Sequence, residues 1–282
     1  MKNIKEYNLD ELKQELISVG EKGYRAEQIF NWLYVEKVKS FDDMTNLSLE
    51  LREKLKQNYT MCNFEILSKQ ESSDGTKKYL FDVLDGNAIE TVLMEYHHGK
   101  TICVSSQIGC KMGCKFCAST GIAFVRGLTA GEIVEQILAV EQDIGEHISN
   151  IVFMGIGEPF DNYDNVMHAI RIINNQKGLN IGARHISVST SGLVPRIYDF
   201  ANEELQCTLS ISLHATTDEK RSAMMPVNNA YNISQLLEAC KQYIKTTNRR
   251  ISFEYALAKD NNDNLEDAKN LVKLLKGMLC HV

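Results

Sequence analysis

Little in this chain of 282 residues invites a membrane, a secretory route or a repeat architecture. No apolar run approaches the ~20 residues that a spanning helix needs, and no internal repeat or low-complexity tract stands out. Met1-Lys2-Asn3-Ile4-Lys5 leads into polar helix where a secretion signal would turn apolar, so a cytosolic protein is expected. Basic excess is missing too. A net charge of −6 argues against a global electrostatic grip on nucleic acid, while a local basic surface stays open, because phosphate affinity follows where Lys and Arg sit. The dinucleotide fingerprint G-x-G-x-x-G is absent: at Gly155 and Gly157 the third glycine is lacking and no helix opens. There is one tryptophan, Trp32, on an apolar helical face and read as core. With 44% apolar and 24% charged residues, the profile is that of an ordinary soluble protein. Its length suits about two domains.

Eight cysteines fit a reducing compartment, where clustered thiols are metal ligands more often than bridges. Cys110, Cys114 and Cys117 lie within eight residues, too close for a set of disulfides. No second Cys or His pair follows at the spacing of a zinc knuckle. An iron–sulfur cube takes four thiolates, so three leave one iron open, and an open position on a bound metal is where chemistry happens. Cys62, Cys207 and Cys240 carry no signal beyond packing. His97 and His98 invite a metal reading, but their place in a hairpin loop is the plainer one.

The first sixty residues read as short helices. Asn8 with Glu11 is a capping-box pattern, and Leu9, Leu12, Leu16 and Ile17 keep helical spacing up to Gly20. Ala26, Ile29, Phe30 and Leu33 mark a second helix; Leu47, Leu51 and Leu55 mark a third. From about Phe64 the period changes to that of strands. Residues 77–83 and 88–96 flank Asp85-Gly86 as a hairpin, and 102–105 is a further strand. Beyond the cysteines, strands at 150–154, 185–189, 208–213 and 251–257 alternate with helices at 130–140, 165–173, 196–201, 233–245 and 264–275. Such alternation predicts parallel β/α units. In a β/α barrel, ligands bind at the C-terminal ends of the strands. The cysteine loop, Gly155-Ile-Gly-Glu-Pro159, Thr190-Ser-Gly192 and His214-Ala215 are therefore expected to face one cavity.

The Cys-x3-Cys-x2-Cys spacing resembles the radical S-adenosylmethionine (SAM) superfamily, in which SAM chelates the open iron. More narrowly, the chain resembles the adenosine-C2 RNA methyltransferases of the RlmN type. The likeness runs through Tyr24-Arg-Ala-Glu-Gln-Ile-Phe30, Phe41-Asp-Asp-Met-Thr-Asn-Leu47, Ile89-Glu-Thr-Val92, Cys103-Val-Ser-Ser-Gln-Ile-Gly-Cys110, Met154-Gly-Ile-Gly-Glu-Pro159, Ser189-Thr-Ser-Gly192 and Ser212-Leu-His-Ala215. The related Cfr-type enzymes, which act at C8, share most of these; Pro159 and Cys117-Ala-Ser-Thr120 fit the RlmN type better. Other readings are a radical SAM enzyme with another substrate, a non-catalytic RNA-binding fragment and a zinc module.

The resemblance implies an α/β fold: a partial parallel β/α barrel, the radical SAM core (96–282), preceded by a small helical domain (1–60) and a β-hairpin extension (61–95). It implies that Cys110, Cys114 and Cys117 hold a 4Fe–4S cluster shielded by Phe116, and that Gly157, Glu158, Ser189, Ser212, Leu213 and His214 line a SAM pocket. Glu90 matches the proton acceptor. Cys103 matches the thiol that frees the product by forming a disulfide with a methyl-carrying cysteine near the C-terminus. The implied substrates are an adenosine in the peptidyl-transferase loop of 23S rRNA and the one beside the anticodon in tRNA, both in non-helical RNA. An electron donor such as flavodoxin or ferredoxin, and a monomer, are expected with them. Lys77, Lys78, Lys111, Lys115 and Arg126 are candidate phosphate contacts. The sequence stops at Leu279-Cys-His-Val282, where family members continue to an Asn that contacts SAM and to the methyl-carrying cysteine. A truncated chain with an exposed last strand is expected, or one that has lost the complete reaction.

Overall fold

The computed structural model describes residues 1–97 and 99–282; His98 of the His97-His98 pair lies outside the described residues. The N-terminal unit begins with β1 (Lys2–Asn3), α1 (Leu9–Ser18), α2 (Arg25–Tyr34) and α3 (Leu49–Asn58). Asn8 accepts hydrogen bonds from the Asp10 and Glu11 N–H groups while the Glu11 carboxylate accepts from Asn8 N–H, the reciprocal cap expected from the sequence. Strand β2 (Tyr59–Thr60) pairs in parallel with β1 and closes the unit. Trp32 packs against the core with its indole N–H donating to Asn46, 2.6 Å away.

The next strands are β3 (Glu65–Glu71), β4 (Lys77–Asp82), β5 (Ala88–Tyr96), β6 (Gly99–Cys103), β7 (Gln107–Ile108) and β8 (Arg126–Gly127). Then come α4 (Ala130–Ile144), β9 (Asn150–Phe153), α5 (Tyr163–Asn174), β10 (Ile186–Thr190), α6 (Val194–Ala201) and β11 (Thr208–Ser212). The chain continues through α7 (Asp218–Met224), α8 (Ile233–Thr247), β12 (Ile251–Glu254), α9 (Leu265–Leu275) and β13 (Cys280–His281).

One nine-stranded sheet runs in the order β13-β12-β11-β10-β9-β6-β5-β4-β3. From β6 to β13 every pairing is parallel. From β6 to β3 every pairing is antiparallel. The expected hairpin is thus extended by β3 and joined without a break to the partial barrel.

Alternation divides the two faces of the parallel strands. Ile151, Ile186, Val188, Leu209, Ile211, Ile251 and Phe253 are buried in the hydrophobic core. On the opposite face Ser189 lies across from Ser210, Ser210 from Ser252, and Ser212 from Glu254. A strand's side chains alternate with period two, so one face of each strand packs the core and the other is free to carry polar groups.

Strand β12 ends at Glu254, short of the expected 257. The next backbone donors leave the ladder for side chains: Ala256 N–H donates to His214 Nδ1 at 3.0 Å, and Ala258 N–H to Asn262 Oδ1 at 2.6 Å. Helix α7, which sequence periodicity did not reveal, is only two turns long, with Thr217 as its cap.

Candidate active site

The cysteine loop is shaped by glycines. Gly109 has φ +72°, and a Cβ there would lie 2.1 Å from the carbonyl oxygen of Ala123, so only glycine fits without moving backbone. Cys117 N–H donates to Cys114 O at 3.0 Å, Thr120 Oγ1 to the same carbonyl at 2.5 Å, and Lys115 N–H to Met224 O at 2.9 Å. The loop is thereby bound to itself and to the end of α7.

Cys110, Cys114 and Cys117 line one cavity of about 270 Å³ together with Phe116, Met154, Gly157, Glu158, Ser189, Ser191, Ser212, His214, Met225 and Glu254. The expected convergence of four loops is met. Burial raises the Cys110 thiol and pushes Cys114 up to about 11, each with a further rise from the charge of its neighbouring thiols. A ligand set of this kind must shed protons as metal enters. Among the described residues, no group of three or more His, Cys, Asp and Glu is arranged to hold a metal ion. What the thiols share is a cavity, and three soft donors lining one cavity suit an iron–sulfur cluster by their chemistry.

The same cavity is lined by polar groups. Gly157 has φ +107° and a Cβ would lie 2.6 Å from Gln107 Cβ, so the glycine lets the loop lie against Gln107. Glu158 is buried; its carboxylate accepts from Ser191 N–H at 2.7 Å and Phe160 N–H at 3.0 Å. Burial raises its pKa, opposed chiefly by the Ser191 N–H. His214 adopts left-handed backbone, φ +53°. Burial, with help from the Arg221 charge, lowers it to about 4, so the ring is neutral at pH 7. Its Nδ1 accepts from Ala256 N–H, which assigns the proton to Nε2. Phe116 stands edge-on to His214, ring centroids 4.7 Å apart, and is 45% exposed at the mouth.

Ser189 and Ser212 both point their hydroxyls at Glu254, at 3.2 and 3.3 Å. The sequence reading missed Glu254, because it treated 251–257 as one unbroken strand. Period-two alternation from Ser252, together with the strand-end rule, was the available signal. Burial raises Glu254, opposed first by Ser189 and then by Ser212.

Three expected residues stand outside this cavity. Leu213 is fully buried in the core, and its N–H and C=O are taken by Glu254 O and Arg221 Nε. Glu90 on β5 is half-buried and pairs with Lys78 Nζ at 3.0 Å. Cys103 on β6 faces Val92 of β5 and Val152 of β9. Burial pushes its thiol up to about 11, while the backbone N–H of Met154, a cavity residue, draws it down. Glu90 precedes Val92 by two positions, so Glu90 and Cys103 share a face of the sheet.

The expected disulfide is not found: all eight cysteines are free, and the cross-strand neighbours of Cys103 are valines. Cys280 lies in β13 opposite Ile251, away from the cavity. Most candidate phosphate contacts already hold carboxylates: Lys111 pairs with Asp161 at 3.0 Å, Lys78 with Glu90, Lys77 with Glu71, and Arg126 with both Asp85 and Glu132. No helix among the described residues is long and apolar enough to cross a membrane.

Comparison with known proteins agrees with this geometry. Residues 2–61 match the family model of the ribosomal RNA large subunit methyltransferase N-terminal domain, and residues 104–274 match that of the radical SAM superfamily. A probable dual-specificity RNA methyltransferase RlmN from Clostridium novyi is 53% identical over 283 residues, covering 100% of this chain and 82% of that protein. Its counterpart from Staphylococcus aureus strain JH9 is 52% identical over 276 residues, covering 97% of this chain and 76% of that protein. The crystal structure of a radical SAM methyltransferase from Sphaerobacter thermophilus superposes with a TM-score of 0.95 at 43% identity, covering 100% of this chain and 84% of that one. A cavity lined by three thiols, an N-terminal domain of matching type and more than half of all residues shared with the two RlmN relatives leave one conclusion: the chain belongs to the RlmN family of radical SAM RNA methyltransferases.

Proposed function

We propose that this chain serves methyl transfer to C2 of an adenosine in 23S rRNA and in tRNA, with a 4Fe–4S cluster on Cys110, Cys114 and Cys117 and SAM beside it. The observation that carries the reading is the shared cavity: the three thiols line it together with Glu158, Ser189, Ser212 and His214. When bound, such a cluster supplies the electron that breaks a sulfonium carbon–sulfur bond. C2 of adenine is electron-poor and its C–H is not acidic, so ordinary nucleophilic methylation is closed to it.

The chain's own groups then divide the work. Glu158 already spends lone pairs on two backbone N–H groups and keeps others for an ammonium, a charge-assisted contact. His214 offers Nε2–H as a donor and stays neutral, so it adds no cation to a site that receives a sulfonium. Phe116 covers the mouth beside the cysteines. Glu90, held by Lys78, would take the C2 proton, and Cys103 would free the product by forming an S–S bond as the C–S bond to a methyl-carrying cysteine breaks. The N-terminal helices bind the RNA, and a flavodoxin or ferredoxin delivers the electron.

The test is anaerobic reconstitution with iron and sulfide, followed by SAM cleavage and mass spectrometry of RNA nucleosides. Iron content should fall to background when Cys110, Cys114 and Cys117 are all changed to Ala; full retention would sink the cluster assignment. 2-Methyladenosine is the expected product. 8-Methyladenosine in place of 2-methyladenosine overturns the C2 transfer.

A further inference from the structure

Arg221 is fully buried, yet among the described residues it forms no ion pair. Its guanidinium donates to four neutral oxygens: Leu213 O at 3.2 Å, Asn228 Oδ1 at 3.0 Å, Ser191 O at 2.6 Å and Ser212 O at 3.0 Å. Those bonds satisfy its donors without cancelling its charge. Taking a cation out of water is costly unless an anion answers it. Burial drags Arg221 down to about 10, which still leaves it charged at neutral pH, opposed by Cys114 and then by the Asp218 carboxylate, which lies beyond ion-pair reach. Cys114 in turn packs with Met224 and Met225, and Met225 N–H donates to Arg221 O at 2.7 Å. Gly192 makes the room. Its φ is +111°, and a Cβ there would sit 3.2 Å from the guanidinium.

From this geometry we infer that Arg221 is a positioning residue whose buried positive charge is the counter-charge of the cluster, holding the loops after β10 and β11 in place and favouring the reduced cluster. The inference rests on the three cysteines being cluster ligands. Reduction adds one electron and no proton, so a fixed cation bonded to Ser191 and Ser212 of the cavity lining stabilises the product of that step more than its reactant. Low dielectric and burial keep the effect from being screened by salt.

The experiment compares wild type, Arg221→Gln and Arg221→Lys after anaerobic reconstitution. Iron content, circular-dichroism melting and the midpoint potential under dithionite titration are read for each. Wild type that takes up no iron refutes the cluster assignment itself and is thereby told apart from failure of this inference. With wild type loaded, Arg221→Gln should either lose the cluster or hold it with an equilibrium for reduction about tenfold less favourable, a potential about 59 mV lower. Arg221→Lys keeps the charge and loses the fork, so it should melt earlier but stay near the wild-type potential. A loaded Arg221→Gln with unchanged potential overturns the inference. So does an Arg221→Lys variant shifted as far as the Gln variant, or an apo Arg221→Gln chain that fails to fold, since either makes the role one of hydrogen-bond geometry alone.

Discussion

Buried charge is handled in opposite ways at two places in this molecule. Where the N-terminal unit meets α4, Lys5 Nζ lies 2.5 Å from Glu135 Oε2, with both side chains almost inaccessible. The remaining valences are filled locally: Lys5 also donates to Cys62 O and Asn63 Oδ1, and Glu135 accepts from Phe64 N–H. At the cavity, Glu158 is buried and Glu254 half-buried, and Arg221 is buried behind its lining, but they meet backbone groups, hydroxyls and an amide. Among the described residues none of the three has an ionic partner. The junction is electrically complete as it stands, and its job is to hold two units together. The cavity keeps uncompensated charge of both signs in fixed places, an arrangement suited to a ligand that carries both.

The sharpest way to break this contrast is to remove half of the junction pair. Lys5→Met leaves Glu135 buried and alone, and should cost about 3–5 kcal/mol in urea unfolding. The double variant Lys5→Met/Glu135→Leu should recover most of that loss, since an apolar pair of similar volume replaces two charges. A Lys5→Met chain as stable as wild type would remove the distinction.

Acid should expose the cavity side. His214 falls from 6.5 to about 4 on folding, so the unfolded chain takes up a proton first as pH drops. The folded state's advantage is complete above pH 6.5 and is lost as pH falls toward 4, in total roughly 3 kcal/mol. Glu254 has its pKa raised by burial. It acts with the other sign, because the unfolded chain releases that proton earlier as pH rises through its ordinary value of 4.5. Comparing apo wild type with His214→Gln isolates the histidine: the variant should show a flatter stability profile between pH 6.5 and 4. Identical profiles would count against a buried neutral ring.

A smaller effect is expected from Glu254→Gln. The carboxylate receives the Ser189 and Ser212 hydroxyl protons, which leaves their lone pairs turned to the cavity. An amide can donate to one of them instead and turn that hydroxyl round. SAM binding to the reconstituted chain should weaken about tenfold, ~1.4 kcal/mol by isothermal titration, with little change in melting. Equal affinity would make Glu254 mere lining. Smallest of all, Lys111→Ala removes a half-exposed pair with Asp161 and should change stability by less than about 1 kcal/mol. If Lys111 meets a phosphate, the same variant lowers the salt slope of RNA binding by about one.

What sequence could reveal follows from how local each cause is. The Asn8–Glu11 cap is written within four residues and was legible, as was the β4–β5 hairpin around Asp85-Gly86. The cysteine spacing and the loops after the strands were legible for the same reason, and they do meet in one cavity. Arg221 and Glu254 were not. Their significance comes from partners 30 and 65 residues away, Ser191 and Ser189, brought near only when parallel strands align. Leu213, which the resemblance places in the pocket with Ser212 and His214, has its side chain in the core, a position that alternation along the strand decides. Strand β12 read as too long because the residues after Glu254 are apolar enough for a strand, while their N–H groups are claimed by His214 and Asn262.

Strand β6 has one neighbour running with it and one against it, β9 and β5, so the antiparallel arm and the half-barrel are a single hydrogen-bonded fabric. A domain on a loose tether can swing while its neighbour stands still; an arm woven into the same sheet cannot. The position of the hairpin is therefore fixed by the same ladders that fix the parallel strands. Cys103 ends the strand the two share, with the N–H of the cavity residue Met154 at its thiol, so the arm's geometry is set right up to the cavity lining.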